Sequence, residues 1–380
     1  MIDKFKFNWL NILVLIVLLL GIGLRFTNLD RQVYWIDEVH TSLRASGFTR
    51  REFVKQAPKD FIVGIEELHY FQQLHPDRNF LVGVQAIGSS EHSPLYYFLA
   101  RLGMEIGGSS RVVTRGVAAI ISLLAFPGIY FLSLELFGSS VVGLIAIALV
   151  AVSPLHLLYA REAREYSLLI VTIIWSCWAF LRAIKQSNKH NWGIYAVSMA
   201  LGLYAHPVAI LVTVGHGVYL AIINQSRWYK SLGNYLISVG VGILLFSPWI
   251  YVFIVNGDGL GEWTRRDIGL TTLVQRWFLN LSSILFDLQV GYSDRLFDVE
   301  AGKDIVLDYG NPVTYLFIFV LLFIVYAFYY LICHTPRKTW LFVVLLVTFT
   351  ATTLALPDAI EGGQRSSVAR YMVAVYIGIQ

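Results

Sequence analysis

Residues 141–181 read "VVGLIAIALVAVSPLHLLYAREAREYSLLIVTIIWSCWAFL". Two apolar runs flank one charged knot, "YAREAREYS", at 159–167. A run of about 20 apolar residues crosses a hydrocarbon core of about 30 Å, and a short polar link between two such runs turns the chain back at a membrane surface. The same pattern recurs over most of the 380 residues, of which 56% are hydrophobic and 14% charged. Soluble domains carry about 25% charged residues, so the chain is expected to be an all-α polytopic membrane protein in one domain, 1–380.

Windows of about 19 residues place ten spans, near 9–25, 112–135, 140–158, 167–184, 192–206, 208–224, 235–255, 313–333 and 339–356, with the last starting near 370. The chain stops inside an apolar run, "ARYMVAVYIGIQ", so the last helix either is short or continues past Gln380. Lys4 and Lys6 precede the first run as in a signal peptide. That run is too long for one and lacks a small-x-small site, so it reads as an uncleaved span. The basic loops "LRAIKQSNKHN", "NQSRWYKS" and "HTPRKT" share a side with this amino terminus, and the positive-inside rule makes that side the cytoplasm.

Three outer segments remain: residues 27–110, 159–167 and 256–312. Within the first, 93–108 is apolar but short, and Arg101 and Glu105 would each cost about 2.5–3.5 kcal/mol at a helix centre. It is expected to lie along the outer interface as an amphipathic helix, with a second such helix within 49–74. The net charge of +4 is spread over short loops, which gives no footprint for nucleic acid. Cys177 and Cys333 have no metal-type spacing and suggest no disulfide framework.

Chemistry is concentrated in the outer segments. Asp37 and Glu38 follow the first span by about 12 residues. On a helix they point about 100° apart, so one can face a reacting hydroxyl while the other serves a metal, a phosphate or a structural partner. The bland reading is a pair of solvated loop acids. In the charged knot, Arg161, Glu162, Arg164, Glu165 and Tyr166 suit a phosphate at the membrane surface, because arginine forks bind it bidentately. Against this, Arg161 and Glu165 stand four apart, as in an ordinary helix-surface pair. Glu91 and His92 precede Pro94 at an expected helix start, and His206 falls in an outer loop. Each is a weak substrate or metal candidate beside the plainer reading of helix-start polar residues and a solvated histidine.

Taken in order, the acidic pair, "HSPLYY", "RVVTRG", "LFG", "SPLHLLYAREAREY" and a late "RY" resemble the GT-C membrane glycosyltransferases. The likeness is to the family that includes protein O-mannosyltransferases and the lipid A aminoarabinose transferase. It covers residues 9 to about 225, and the remainder through its span pattern. It implies sugar transfer, usually with inversion, from a polyprenyl-phosphate donor to a hydroxyl-bearing acceptor (lipid, glycan or protein) on the outer face, in a bacterial cytoplasmic membrane. By the same resemblance Asp37 is the essential acid, Arg164 the arginine of the "EAREY" motif, and Arg370 with Tyr371 the late pair near the donor phosphate. His92 stands where some relatives hold a metal-binding acid. No cofactor is fixed, and a divalent ion stays open. In the 256–312 loop Trp263, Arg265, Arg266, Asp294 and Arg295 are acceptor-side candidates, or belt anchors in the case of the aromatic residue. The rival class is a transporter or flippase of a lipidic substrate, which would place its polar residues near the midplane in two related halves.

Overall fold

The computed structural model describes residues 9–56, 64–89, 92–223, 228–256, 262–286 and 312–380. Among these residues the regular structure is helical throughout. Helix α1 (Trp9–Phe26) leads into the first outer segment, which folds as α2 (Ile36–Ala45), α3 (Arg50–Gln56), α4 (Ile65–Tyr70), α5 (Phe80–Gly88) and α6 (Leu95–Gly107). There follow α7 (Arg111–Ser122), α8 (Ala125–Phe137), α9 (Ser140–Val152), α10 (Pro154–Ala160), α11 (Tyr166–Lys185), α12 (Lys189–Ala205), α13 (Ala209–Ile222) and α14 (Trp228–Asn256). The last are α15 (Leu270–Ser282), α16 (Leu316–His334), α17 (Arg337–Glu361) and α18 (Val373–Ile379).

Helices lie at all ten expected spans. Among the described residues, six are long and apolar enough by themselves to cross a membrane: α1, the continuous α7–α8, α11, α14, α16 and α17. The bent pair α9–α10 makes a seventh, while α13 and the 369–379 segment are shorter apolar helices. Helix α11 is the axis, with fourteen buried residues spread around its whole circumference, so it touches protein on every side. By contrast α16 buries Val320 alone, and α14 exposes Leu236, Ile237 and Leu244. Such all-round apolar surfaces are stable only where lipid is the solvent.

The bend between α9 and α10 measures 61° and has a local cause. Pro154 has no N–H to donate, which frees carbonyls of the turn before it. Buried Arg25 of α1 takes two carbonyls at the end of α9, Val150 at 3.1 Å and Ala151 at 2.6 Å. Gly21 permits this approach, since a Cβ there would lie 2.4 Å from the Ala151 oxygen. The bend directs α10 and the charged knot across the bundle end.

The first outer segment corrects one expectation. Helix α6 has 13 residues, too short to cross, but it does not simply float at the interface: Tyr96, Tyr97, Ala100 and Met104 are buried against protein. Arg101 is buried too, and donates to the carbonyls of Ala45 (2.9 Å) and Arg78 (2.7 Å) and to Glu105 (2.9 Å). A guanidinium needs several acceptors to be stable under cover, and here it ties α6 to α2 and to the turn before α5. Of the interfacial stretch expected within 49–74, the described residues include two short helices, α3 and α4, while 57–63 lie outside them.

Candidate active site

The acidic pair opens α2, where both carboxylates favour the helix dipole. The roughly 100° step between them sends the two side chains to different places. Glu38 turns inward and is fully buried. Arg115 of α7 meets it with a two-point fork, Nε to Oε1 at 2.7 Å and Nη2 to Oε2 at 2.6 Å, and the Ala163 N–H adds 2.8 Å to Oε1. The remaining Arg115 donors reach the carbonyls of Leu29, Gln32 and Val33 at 2.6, 3.2 and 2.9 Å. All five N–H groups of Arg115 are thereby used. Glu38 stands behind the site and does not line it; it holds α2, α7 and the charged knot together.

Asp37 turns the other way, into a cavity of about 410 Å³. That size lies within the roughly 300–1,000 Å³ of small-molecule sites. Arg164 and Glu165 come from the knot, His92 and Ser93 from the approach to α6, His206 to Val208 from the α12–α13 turn, and Arg365, Arg370 and Tyr371 from the segment after α17. The Tyr166 hydroxyl donates to Asp37 Oδ2 at 3.3 Å. Residues 161–165 form a turn that ends α10, not a helix. The expected Arg161–Glu165 surface pair is therefore absent. Glu165 instead pairs with its neighbour Arg164 at 2.9 Å, both 3% exposed. Arg164 also donates to Tyr97 Oη at 3.0 Å and more weakly, at 3.4 Å, to Thr41 and the Asp37 carbonyl. Its Nε and Glu165 Oε2 have no hydrogen-bond partner among the described residues.

Arg370 stands over four aromatic rings, Trp35, Tyr166, Trp263 and Tyr371, at 5.4–5.9 Å. Cation–π contact of this kind helps to hold a guanidinium in place. Its segment is placed by Asp358, which accepts from Arg365 (3.2 Å) and from the N–H and hydroxyl of Ser366 (both 2.7 Å). The turn between needs Gly363 at φ +139°, where a Cβ would also meet Asp358 Oδ1 at 2.6 Å.

Five arginines (44, 50, 164, 365 and 370) line the cavity against two carboxylates, Asp37 and Glu165. Burial raises the Glu165 carboxyl above its usual range, opposed by Arg164, while Arg164 stays firmly cationic although buried, supported by Glu165 and the nearby Tyr97 phenol. His40, His92 and His206 are all held toward the neutral form, first by burial and then by arginines: Arg44 at His40, Arg164 at His92, and Arg370 at His206, whose pKa falls to about 3. The lining therefore carries a surplus of positive charge. Among the described residues no three His, Cys, Asp or Glu side chains converge as a metal shell. Asp37 faces a surplus of guanidinium charge, a poor setting for a resident cation.

The cavity thus unites Asp37, Arg164, Arg370, His92 and His206, with Tyr166 behind Asp37. It leaves out Glu38 and Arg161. Glu91, Asp294 and Arg295 lie outside the described residues. Arg265 and Arg266 are exposed and away from the lining, whereas Trp263 is part of it. His40, Arg44, Arg50 and Arg365 are additions that the sequence motifs did not single out. Arg115 stood in the quoted "RVVTRG", and a charge entering an apolar span is itself a signal of a buried partner.

Residues 91–252 match the sequence profile of the dolichyl-phosphate-mannose-protein mannosyltransferase family. The apo oligosaccharyltransferase of Archaeoglobus fulgidus superposes with a TM-score of 0.50 at 15% identity, over 99% of this chain and 50% of that one. The fold is that of the GT-C membrane glycosyltransferases. The oligosaccharyltransferase AglB of the same organism, in complex with an inhibitory peptide and a dolichol-phosphate, gives the same TM-score, identity and coverage. ArnT from Cupriavidus metallidurans bound to undecaprenyl phosphate matches with a TM-score of 0.49 at 15% identity, over 97% of this chain and 76% of that one. The chain spans about half the length of the oligosaccharyltransferases it resembles. No curated protein matches it.

Proposed function

We propose that this protein transfers a sugar, a hexose or a pentose, from a polyprenyl-phosphate donor to a hydroxyl-bearing acceptor at the outer face of a bacterial cytoplasmic membrane. The observation that carries this is the convergence of Asp37 with Arg164 and Arg370 in one cavity at the ends of apolar helices. A lipid-linked donor keeps its tail in the bilayer and its phosphate at the interface, so its catalytic groups must sit there too. In the reaction the acceptor oxygen bonds to the anomeric carbon while the bond from that carbon to the phosphate oxygen breaks. Asp37 takes the acceptor's proton, and its hydrogen bond from Tyr166 orients the carboxylate. The bonding pair departs with the phosphate, whose growing charge Arg164 and Arg370 offset. The three neutral imidazoles offer polar contacts to sugar hydroxyls without adding charge.

A transporter would carry its polar groups at the midplane. Here the charged lining gathers at one end of the bundle, which favours the transferase. The deciding experiment incubates the detergent-purified protein with a panel of polyprenyl-phosphate sugars and follows donor turnover, including slow hydrolysis. Binding without turnover, coupled to movement of substrate across vesicles, would reverse the choice. Orientation is tested separately. Cys333 is exposed and is first replaced by Ser. Single cysteines at exposed positions 51 and 266 should then react with an impermeant reagent in intact cells, and one at exposed position 338 should not.

A further inference from the structure

A donor phosphate needs one clamp, but separate segments each bring cations to the cavity. Arg370 and Tyr371, from the segment after α17, line it together with Leu354 of α17. His40 and Arg44 of α2 and Arg50 of α3, all from the first outer segment, line it too. The fields differ along the lining: His40 lies in the field of Arg44, Asp37, Arg164 and Arg50, whereas His206 answers to Arg370 and Arg164.

Arg50 is the informative member. It is the first residue of α3, where the helix dipole favours an anion over a cation. The helix does not need it for capping, because Thr49 and Glu52 already form a reciprocal box: the Glu52 N–H donates to Thr49 Oγ1 at 3.1 Å and the Thr49 N–H to Glu52 Oε2 at 2.7 Å. Nor does Glu52 neutralise it, since that carboxylate is taken by Arg78 at 2.8 Å. Among the described residues Arg50 makes no ion pair. An exposed cation set against its own helix, on the wall of a cavity that already holds a phosphate clamp elsewhere, is placed for a second anion.

We infer that the α2–α3 wall is the acceptor subsite and that the acceptor carries a phosphate group close to the hydroxyl it presents to Asp37, with Arg50 and Arg44 holding that phosphate. Arginine suits this task, because its planar fork meets two phosphate oxygens at once. The inference rests on the sugar-transfer reading above and deepens it by naming the class of acceptor.

The test uses matched acceptors with a donor that the protein turns over. Glycerol is compared with glycerol 3-phosphate in solution, and diacylglycerol with phosphatidylglycerol in nanodiscs; donor hydrolysis is followed in parallel. Transfer to the phosphate-bearing member of at least one pair should exceed that to its neutral partner by roughly tenfold or more, the usual worth of a charged hydrogen-bonded contact. The pair that responds distinguishes a soluble from a lipid-borne phosphate. Arg50→Glu should cut that ratio by about fivefold or more. The ratio is taken within each variant, so partial loss of folded protein cancels, and Arg50→Gln is read if the charge reversal gives no turnover. Equal use of charged and neutral members in both pairs, or a ratio within about twofold of the parent in the variant read, would overturn the inference while leaving sugar transfer standing. Complete absence of donor hydrolysis and transfer in the parent would remove both.

Discussion

Two buried arginine–carboxylate pairs flank the same turn and differ in how fully they are satisfied. In Arg115–Glu38 every guanidinium N–H and both carboxylate oxygens are bonded. In Arg164–Glu165 one fork atom, Nε, and one carboxylate oxygen, Oε2, are without partners among the described residues, and both side chains line the cavity. A saturated buried pair has no capacity left for a ligand and serves to fix the elements it joins. An unsaturated one carries a desolvation cost that a ligand can relieve, which is the state of a site waiting for its substrate.

The largest effect should come from breaking the saturated pair. Arg115→Ala leaves Glu38 charged and buried and strands three carbonyls, and removing one partner of such a pair typically costs about 3–5 kcal/mol. Thermal unfolding in detergent should show it as a large fall in Tm, with loss of the outer wall and of turnover together. A Tm equal to that of the parent would mean that Arg115–Glu38 is not the brace described here.

Next comes the acid that escapes the brace. Asp37→Asn keeps size and most hydrogen bonding, so the protein should fold and bind donor while single-turnover transfer falls by roughly 10²-fold or more, the usual worth of a positioned base. Transfer within about threefold of the parent would move the proton acceptor to another group. Beyond the acid, Arg164→Ala should weaken donor use by roughly tenfold or more, and Arg164→Lys by less, because an ammonium keeps the charge but loses the fork. Equal turnover in the Ala variant and the parent would take Arg164 out of phosphate binding.

The contrast between the pairs also marks what the sequence could tell. Helix positions were legible because apolar runs are local, and the division of labour between Asp37 and Glu38 follows from the helical period alone. Their partners were not, because Arg115 lies 77 residues from Glu38 and Ala163 lies 125 away, and no local pattern encodes such pairings. Arg161 stands outside the cavity because the chain turns after Ala160, which a continuous-helix reading of the motif does not show. Arg44, Arg50 and Arg365 carry no motif at all. They become visible only when three separate outer segments close around one cavity.

The smallest effect, and the sharpest use of the comparison, is Glu165→Gln against Glu38→Gln. Both replace a buried carboxylate by an amide of the same shape. At Glu38 the amide must place an NH₂ against a guanidinium or against the Ala163 N–H, so stability should fall clearly. At Glu165 burial outweighs the attraction of Arg164 and raises the folded-state pKa above the ordinary value of 4.5. The folded protein then binds that proton more tightly than the unfolded chain does. The stability so gained is fully present below the unfolded value and is lost as pH rises through the raised folded value. Glutamine cannot titrate and escapes this loss, while Arg164 keeps its contact with Tyr97. Measured by Tm at pH 5 and pH 8, the deficit of Glu165→Gln relative to the parent should shrink as pH rises, and at pH 8 it should be smaller than that of Glu38→Gln. A deficit that grows with pH would show that the Arg164 contact outweighs burial, and Glu165 would then belong with Glu38 as a brace.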